Sequence, residues 1–384
     1  MKKHKILHIS PDGVIYGTER HILSIVSNSD RNKFEHFVSV PREGSLTAAL
    51  DEIGIKYFVG SRMPSKSNVV QGFWENGGFM KLFRTIKNND FDIIHSHLVT
   101  YAGILAKFLG KKKLVHTRHG IFMTEEEISK ISSIKKKFQK YKSDIFVKTI
   151  ALSSIEKNVM VKTYNYDPKK IEIIYNGVTI ENIKAKVNTS TDKKSLYGTN
   201  DFVVGGIGRF ERQKGFHLFV AAASKVLKQV KNIKFVLIGN GSLRENILSQ
   251  IKELGLEENF IILDYKSNVF DYLNNFDLMV SSSLWEGVPY AILEAMALGK
   301  PTIAISSNLS GVNEIIDDGA DGFLIKDNYS DNLAEKILFL YNDKLKYVKF
   351  SSNCVDKIKS RFSEDAMIKK TEELYAGILN KEIS

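Results

Sequence analysis

An α/β fold with two parallel sheets in series is what this sequence predicts, and three observations predict it. Short apolar strand candidates alternate with helical segments from Lys5 almost to the end of the chain. A length of 384 residues with 43% hydrophobic content suffices for two sizeable cores, which makes two domains the natural expectation. One polar stretch, residues 183–199, rich in Lys, Asn, Thr and Ser, interrupts the alternation and reads as the linker.

In order along the first half, Lys5 to Ser10 reads as a strand, Gly17 to Ser27 as a helix, Phe34 to Val40 as a strand and Leu46 to Ile53 as a helix. Lys56 to Val59, Ile93 to Ser96 and Lys113 to Thr117 continue the strands, with helices across Met80 to Asn88 and Tyr101 to Leu109 between them. Ile145 to Leu152 and Ile171 to Tyr175 complete this half. The order is that of a parallel sheet covered by helices on both faces. The second half repeats it with strands at Phe202 to Ile207, Lys234 to Ile238, Ile261 to Leu263, Leu278 to Ser281, Thr302 to Ser306 and Gly322 to Ile325. The expected division is 1–185, 186–362 and a terminal helix in 363–384 that packs back on the first domain.

Cys354 is the single cysteine, so an intrachain disulfide is excluded and a reducing compartment fits. The opening Ile6 to Ile9 run is too short for a signal segment and reads as the first strand. No apolar run approaches the ~18 residues needed to cross a bilayer. The expected location is cytoplasmic, with peripheral contact at the inner membrane face. Charge is uneven: residues 1–190 hold 31 Lys+Arg against 18 Asp+Glu, a balance of +13, whereas residues 191–384 hold 24 against 26, or −2. Much of the excess lies at Lys111, Lys112 and Lys113 and on a predicted helix carrying Lys130, Lys135, Lys136, Lys137, Lys140 and Lys142. Ile128, Ile131, Ile134, Phe138 and Tyr141 form a helical stripe there, expected to face the core. The lysines read either as a solvated face or as a patch for anionic lipid headgroups or a phosphate-bearing acceptor. Nucleic acid is not expected, because the patch lacks interleaved exposed aromatics and a binding module.

The chemistry concentrates in Ser281 to Ser306. Tyr290 to Leu298 reads as a short helix opened by Pro289 and stopped by Gly299, apolar all round except for Glu294. A buried carboxylate needs partners, and a ligand's hydroxyl pair would serve. Glu286 and the Gly287-Val288-Pro289 bend precede that helix, whose N-terminus favours an anionic ligand. A strand end runs into GRFERQKG, where Arg209 and Lys214 can grip phosphate. IGNGSL, with Gly239 and Gly241, is another strand end allowing a tight turn or close backbone approach. In the first half Gly17 opens a helix without the GxGxxG fingerprint. His95, His97, His116 and His119 lie at strand ends, but they lack nearby Cys ligands and the HExxH helix, so no metal ligand is expected and His119 reads as a sugar-binding or proton-handling group. Asp90 and Asp92 read as turn carboxylates.

EGVPYAILEAMALGKP, with seven residues between Glu286 and Glu294, resembles the ExxxxxxxE signature of retaining GT-B glycosyltransferases, in the large family that includes glycogen-synthase-like and lipopolysaccharide sugar transferases. GRFERQKG, VLIGNGSL, IIYNGV, GVNEIIDDGADGFLI and HTRHG match it further. The resemblance implies two Rossmann-like doubly wound domains facing across a cleft, a nucleotide diphosphate sugar as donor substrate, with uridine as the expected base, and no metal or other cofactor. It implies Glu294 on the ribose, Arg209 and Lys214 on the diphosphate, and Glu286 with the following Gly287, Val288 and Pro289 at the transferred sugar. Gly239 and Gly241 would approach the donor. His119 looks like the family histidine near the reacting sugar, and Gly17 like the turn residue facing donor phosphate and acceptor. The family often has two glycines in the first turn where this chain has Tyr16-Gly17-Thr18, and Asn313 stands where Pro is common. A glycan or lipid-linked acceptor is the expected partner. A nonhydrolysing UDP-sugar epimerase and a silent nucleotide-sugar-binding protein are the alternatives.

Overall fold

The computed structural model describes residues 3–60, 78–111, 113–121, 123–199, 201–265 and 268–380. Two compact units account for them: Met1–Ile121, Glu125–Asn176 and Glu364–Ser384 form the first, and Phe122–Thr124 with Gly177–Ser363 the second.

The first unit is built on seven parallel strands, β1 (His4–Ile9), β2 (Phe34–Val40), β3 (Lys56–Val59), β4 (Ile93–His97), β5 (Leu114–Thr117), β6 (Lys148–Ala151) and β7 (Ile171–Ile173), in the order 3-2-1-4-5-6-7. Alternation along the strands sorts their residues onto two faces. Leu7, Ile9, Phe37, Ile94 and Leu114 share one apolar cluster with Leu82, Ile86 and Phe146. On the opposite face the register sets His8 beside His95 and Ile6 beside His36, and His97 follows His95 two residues on. The helix Glu364–Leu379 belongs to this unit: Tyr375 Oη lies 2.7 Å from His95 Nδ1, Glu364 accepts from Ser24 Oγ, and Glu372 accepts from the Asp30 N–H.

The second unit has six parallel strands, β8 (Phe202–Ile207), β9 (Ile233–Ile238), β10 (Phe260–Leu263), β11 (Leu278–Ser281), β12 (Thr302–Ile305) and β13 (Gly322–Ile325), in the order 10-9-8-11-12-13. Strand β8 thus lies between β9 and β11, and the chain order reverses there. Such a switch point opens a crevice beyond the C-terminal ends of the strands, where open α/β sheets bind their ligands. Buried Phe219, Phe235, Phe260 and Leu237 anchor the core beneath.

Three expectations change at the element level. The two units divide at Asn176/Gly177, ahead of the anticipated 185/186, because Val178 donates to the Phe362 carbonyl and the helix Ile180–Ala185 packs on the helix Tyr290–Ala297. The supposed linker itself contains the short helix Lys193–Tyr197. The Lys-rich segment is two helices, Glu125–Ser129 and Ser133–Asp144, so the stripe does not run continuously into a core. Ile131 is buried, but Ile134, Phe138 and Tyr141 are 81%, 53% and 61% exposed. Exposed aromatics therefore do interleave these lysines, contrary to expectation, which removes one of the two grounds against nucleic acid and leaves the other, the lack of a binding module. Lys112 lies outside the described residues.

Candidate active site

At the switch point of the second unit, the loop after β8 meets the loop after β11. The Leu284 N–H donates to the Gln213 carbonyl (2.8 Å), Ser282 Oγ donates to the Lys214 carbonyl (2.8 Å), and Gln213 Nε2 donates to the Trp285 carbonyl (2.9 Å). Gly215 makes this approach possible: its φ is +58°, and a Cβ there would stand 2.3 Å from the Ser282 carbonyl oxygen. The clasp brings together Lys214 Nζ and Glu286 Oε1 at 2.5 Å, both side chains largely out of water. Glu286 also accepts the Gly311 N–H at its carbonyl, which ties the bend to the loop after β12.

Immediately beyond, Gly287, buried Val288 and Pro289 lead into the helix Tyr290–Ala297, with Pro289 as its N-cap residue. Gly299, at φ +68°, ends the helical turn as the sequence indicated. Glu294 is buried within this otherwise apolar helix. Arg209 is exposed one residue past Gly208, so its guanidinium is available to an anion in solution.

The glycines of IGNGSL have a different explanation. A Cβ on Gly239 would lie 1.9 Å from the Gly208 carbonyl oxygen, and one on Gly241 would lie 2.6 Å from that of Phe210. The loop after β9 is therefore pressed against the loop that bears Arg209. Glu211 adds to the contact by accepting from the Ser242 N–H and hydroxyl. These glycines shape the wall through loop-to-loop packing, whatever a ligand touches.

Gly17 is the converse case. It is the first residue of the helix Gly17–Asn28, and a Cβ there would meet nothing within 4 Å. Its own chain does not require glycine. The turn before it is held by Glu19, which accepts the Tyr16 N–H (3.1 Å), and by Asp12, which accepts from Gly13 (2.7 Å) and Arg42 (2.9 Å).

His119 follows β5 in the left-handed region, at φ 65°, a conformation few non-glycine residues hold. Buried Glu156 keeps the loop there, accepting the Gly120 and Leu152 N–H groups at 2.7 Å each, with Arg118 at 3.9 Å. His119 Nε2 lies 2.9 Å from His97 Nδ1, His97 Nε2 lies 3.1 Å from His8 Nδ1, and His8 Nε2 lies 2.9 Å from His36 Nδ1. Four imidazoles thus run in a chain from β2 to the loop after β5. Burial holds the pKa of each below the usual histidine range, His36 at about 4, and each is lowered further by the repulsion a second protonated ring would bring or, at His36, by Arg31. The rings are neutral at pH 7, and each can donate from one nitrogen and accept at the other.

Known proteins share this architecture. The family model described as Glycosyltransferase Family 4 matches residues 15–182, and the model described as Glycosyl transferases group 1 matches residues 187–357. An uncharacterized glycosyltransferase of Methanocaldococcus jannaschii is 30% identical over 274 residues, covering 67% of this chain and 68% of its own length. This chain belongs to the family 4 glycosyltransferases. The transferase is also similar to the Escherichia coli UDP-Gal:alpha-D-GlcNAc-diphosphoundecaprenol alpha-1,3-galactosyltransferase, at 28% identity over 389 residues, 99% of this chain and 98% of that one. The crystal structure of Anabaena HepE in complex with UDP and glucose matches with a TM-score of 0.82 at 22% identity, covering 97% of this chain and all of its own. The fold is the two-domain GT-B fold.

Sequence reasoning missed several residues around the transferase's first-unit loops: Glu156, His8, His21, His36 and Asn176. Glu156 had a local signal, since Ser153 accepts its N–H as the N-cap of the helix Ser154–Tyr164 and the Ser-x-x-Glu spacing reads as a capping box. Its carboxylate reaches the His119 loop instead. The histidines had none, because only strand pairing brings them together. Asp92 accepts the Lys5 N–H and Asp90 is an exposed ion-pair partner of Lys111, so both serve the edge of the fold.

Proposed function

We propose that this glycosyltransferase moves a hexose or N-acetylhexosamine from a UDP-sugar to a lipid-linked or surface-polysaccharide acceptor, with retention at the anomeric carbon and without a metal. The observation that carries the reading is the Lys214–Glu286 pair, clasped at the N-terminus of the helix that bears Glu294. Similarity along nearly the whole chain to a galactosyltransferase named for UDP-Gal and alpha-D-GlcNAc-diphosphoundecaprenol supports the substrate classes.

In this reading Arg209 and Lys214 take the diphosphate, Glu294 the ribose hydroxyls, and Glu286 with Gly287, Val288 and Pro289 the transferred sugar. Gly239 and Gly241 shape the donor wall. His119 acts at the reacting sugar, and Gly17 leaves room for donor phosphate and acceptor. Cleavage of the bond from anomeric carbon to phosphate concentrates negative charge on the leaving diphosphate. Fixed cations and the helix dipole stabilise that charge more in the transition state than in the ground state. Lys214 is pre-positioned for this role: a phosphate arriving at its ammonium meets a group already desolvated by Glu286. The acceptor hydroxyl attacks from the face the phosphate leaves, and the phosphate oxygen takes its proton.

No helix among the described residues is long and apolar enough to cross a membrane. We place the enzyme at the cytoplasmic membrane face through the helix Ser133–Asp144, where Ile134, Phe138 and Tyr141 stand in water among Lys135, Lys136, Lys137, Lys140 and Lys142. Anionic headgroups attract such lysines by about 1 kcal/mol each, and the three apolar side chains can enter the acyl boundary.

The test is a panel of nucleotide sugars with and without a membrane-lipid extract. A UDP-sugar should be consumed with acceptor present, EDTA should leave the rate intact, and mass spectrometry should find the glycosylated lipid. Interconversion of donor without acceptor would instead make the chain an epimerase.

A further inference from the structure

Beyond the chain of four imidazoles, a fifth histidine approaches it. His21, from the helix Gly17–Asn28, is fully buried. Its Nδ1 lies 3.0 Å from Asn176 Oδ1, a carbonyl oxygen that can only accept, so Nδ1 carries the proton and Nε2 presents a lone pair. Among the described residues that Nε2 has no hydrogen-bond partner. The rings it faces are His119, with centroids 4.9 Å apart, and His97, at 5.7 Å. One nitrogen from each of His21, His97 and His119 falls within 4.8 Å of the other two.

We propose that His21, His97 and His119 form a binding site for a borderline divalent transition metal, zinc being the reference ion, with His21 Nε2, His97 Nδ1 and His119 Nε2 as ligands. A tetrahedral zinc with metal–nitrogen bonds of about 2.0–2.1 Å holds its ligand nitrogens about 3.3 Å apart. The His97–His119 pair at 2.9 Å has only to open slightly, and His21 to close in. Ion binding needs lone pairs on all three nitrogens. His21 already has its own. His97 gains one by carrying its proton on Nε2 and donating to His8 Nδ1, and His8 then donates from Nε2 to His36 Nδ1. His119 moves its proton to Nδ1. No proton leaves the protein.

Second contacts of the kind that orient metal-bound histidines are within reach: His21 donates to Asn176, and His97 Nε2 stands 3.1 Å from His8 Nδ1, to which it donates once its proton is on Nε2. The sequence alone gave no reason to expect this. It paired strand-end histidines with each other and found no set that fits a metal, whereas the decisive ligand comes from a helix. A fourth position is left for water or another ligand, since three imidazoles do not complete the shell. The ion would act as an inhibitor, because coordination removes Nε2 of His119 from other contacts and fixes its ring. That consequence rests on the role given above to His119; the binding site does not.

The experiment uses the full chain, stripped with chelator and titrated with zinc by calorimetry, with cobalt as a spectroscopic probe. One zinc per chain is expected, with visible cobalt bands of a tetrahedral nitrogen-rich site. His21→Gln should weaken zinc at least tenfold. Asn176→Asp, which places a carboxylate on the His21 N–H, should tighten it by about tenfold, so a stability loss in one variant cannot imitate both results. No stoichiometric zinc in the wild-type chain, or affinities equal in all three proteins, overturns the site. Zinc bound with the expected variant pattern but without inhibition of sugar transfer upholds the site and removes His119 from the reaction.

Discussion

Lys214 and Glu286 pose the central question at the scale of residues, since each neutralises the other before any ligand arrives. Replacing Lys214 by Ala leaves Glu286 in a largely desolvated bend without its cation and removes a cation from the leaving diphosphate. The expected result is a fall in kcat of about 10²-fold or more, with a smaller change in UDP affinity. An unchanged kcat excludes the charge role. Glu294→Gln keeps the shape of the helix but loses the charged acceptor for a ribose diol, and should weaken UDP binding about tenfold by calorimetry. Equal affinity would move Glu294 out of the nucleoside site. Gly17 and Gly239 separate function from packing. Gly17→Ala meets open space and should leave Tm unchanged or slightly raised while lowering turnover. Gly239→Ala collides with the Gly208 carbonyl at a φ of +151° and should lower Tm by several degrees. Equal effects of both on stability would contradict this division.

Among the elements, the helix Ser133–Asp144 and the histidine face of the first sheet carry the clearest consequences. Phe138→Asp together with Ile134→Asp should reduce co-sedimentation with anionic vesicles at least as far as Lys135, Lys136 and Lys137 to Ala does. Binding unaffected by either set would remove the membrane face from this helix. On the sheet, burial lowers His36 to about 4 and His116 to about 3, from an unfolded value of 6.5. Their folded pKa values lie below the unfolded ones, so the unfolded chain binds the extra protons. Stability from these groups is full above pH 6.5 and is lost progressively as pH falls from there toward their folded pKa values. Denaturation midpoints should therefore drop between pH 6.5 and 5, before most carboxylates titrate. His116→Phe, packed on Phe146, should make that slope shallower by removing one of the buried histidines, and a flat wild-type profile would show that the buried imidazoles do not resist protonation.

These elements also mark how far the sequence could be read. Glu286, Pro289, Glu294 and Gly299 lie within one short stretch, so spacing alone was enough to suggest the bend, the helix and its buried carboxylate. The strands were legible because parallel, doubly covered strands are largely apolar. The stripe from Ile128 to Tyr141 misled because the helix breaks between Ser129 and Ser133, which turns the later apolar residues to solvent. The histidine cluster was illegible for a different reason: His21 meets Asn176 across 155 residues of sequence, and His8 meets His97 across 89. Periodicity has no access to such pairings.

For the whole molecule, each unit repeats the 3-2-1-4-5-6 strand order, yet the two employ their switch points differently. The first lines its sheet face with neutral imidazoles, and the second closes its strand-end loops around an ion pair. The basic excess of the first half, +13 against −2, agrees with the proposal that the first unit meets an anionic surface or acceptor while the second takes the nucleotide. The central claim is that the second unit's strand-end loops hold the nucleoside diphosphate. Hydrogen exchange of the full chain, with and without saturating UDP, tests it most directly. Slowed exchange should concentrate in residues 208–215, 239–243 and 286–294. Protection absent from all three segments, or confined to the first unit, would contradict it.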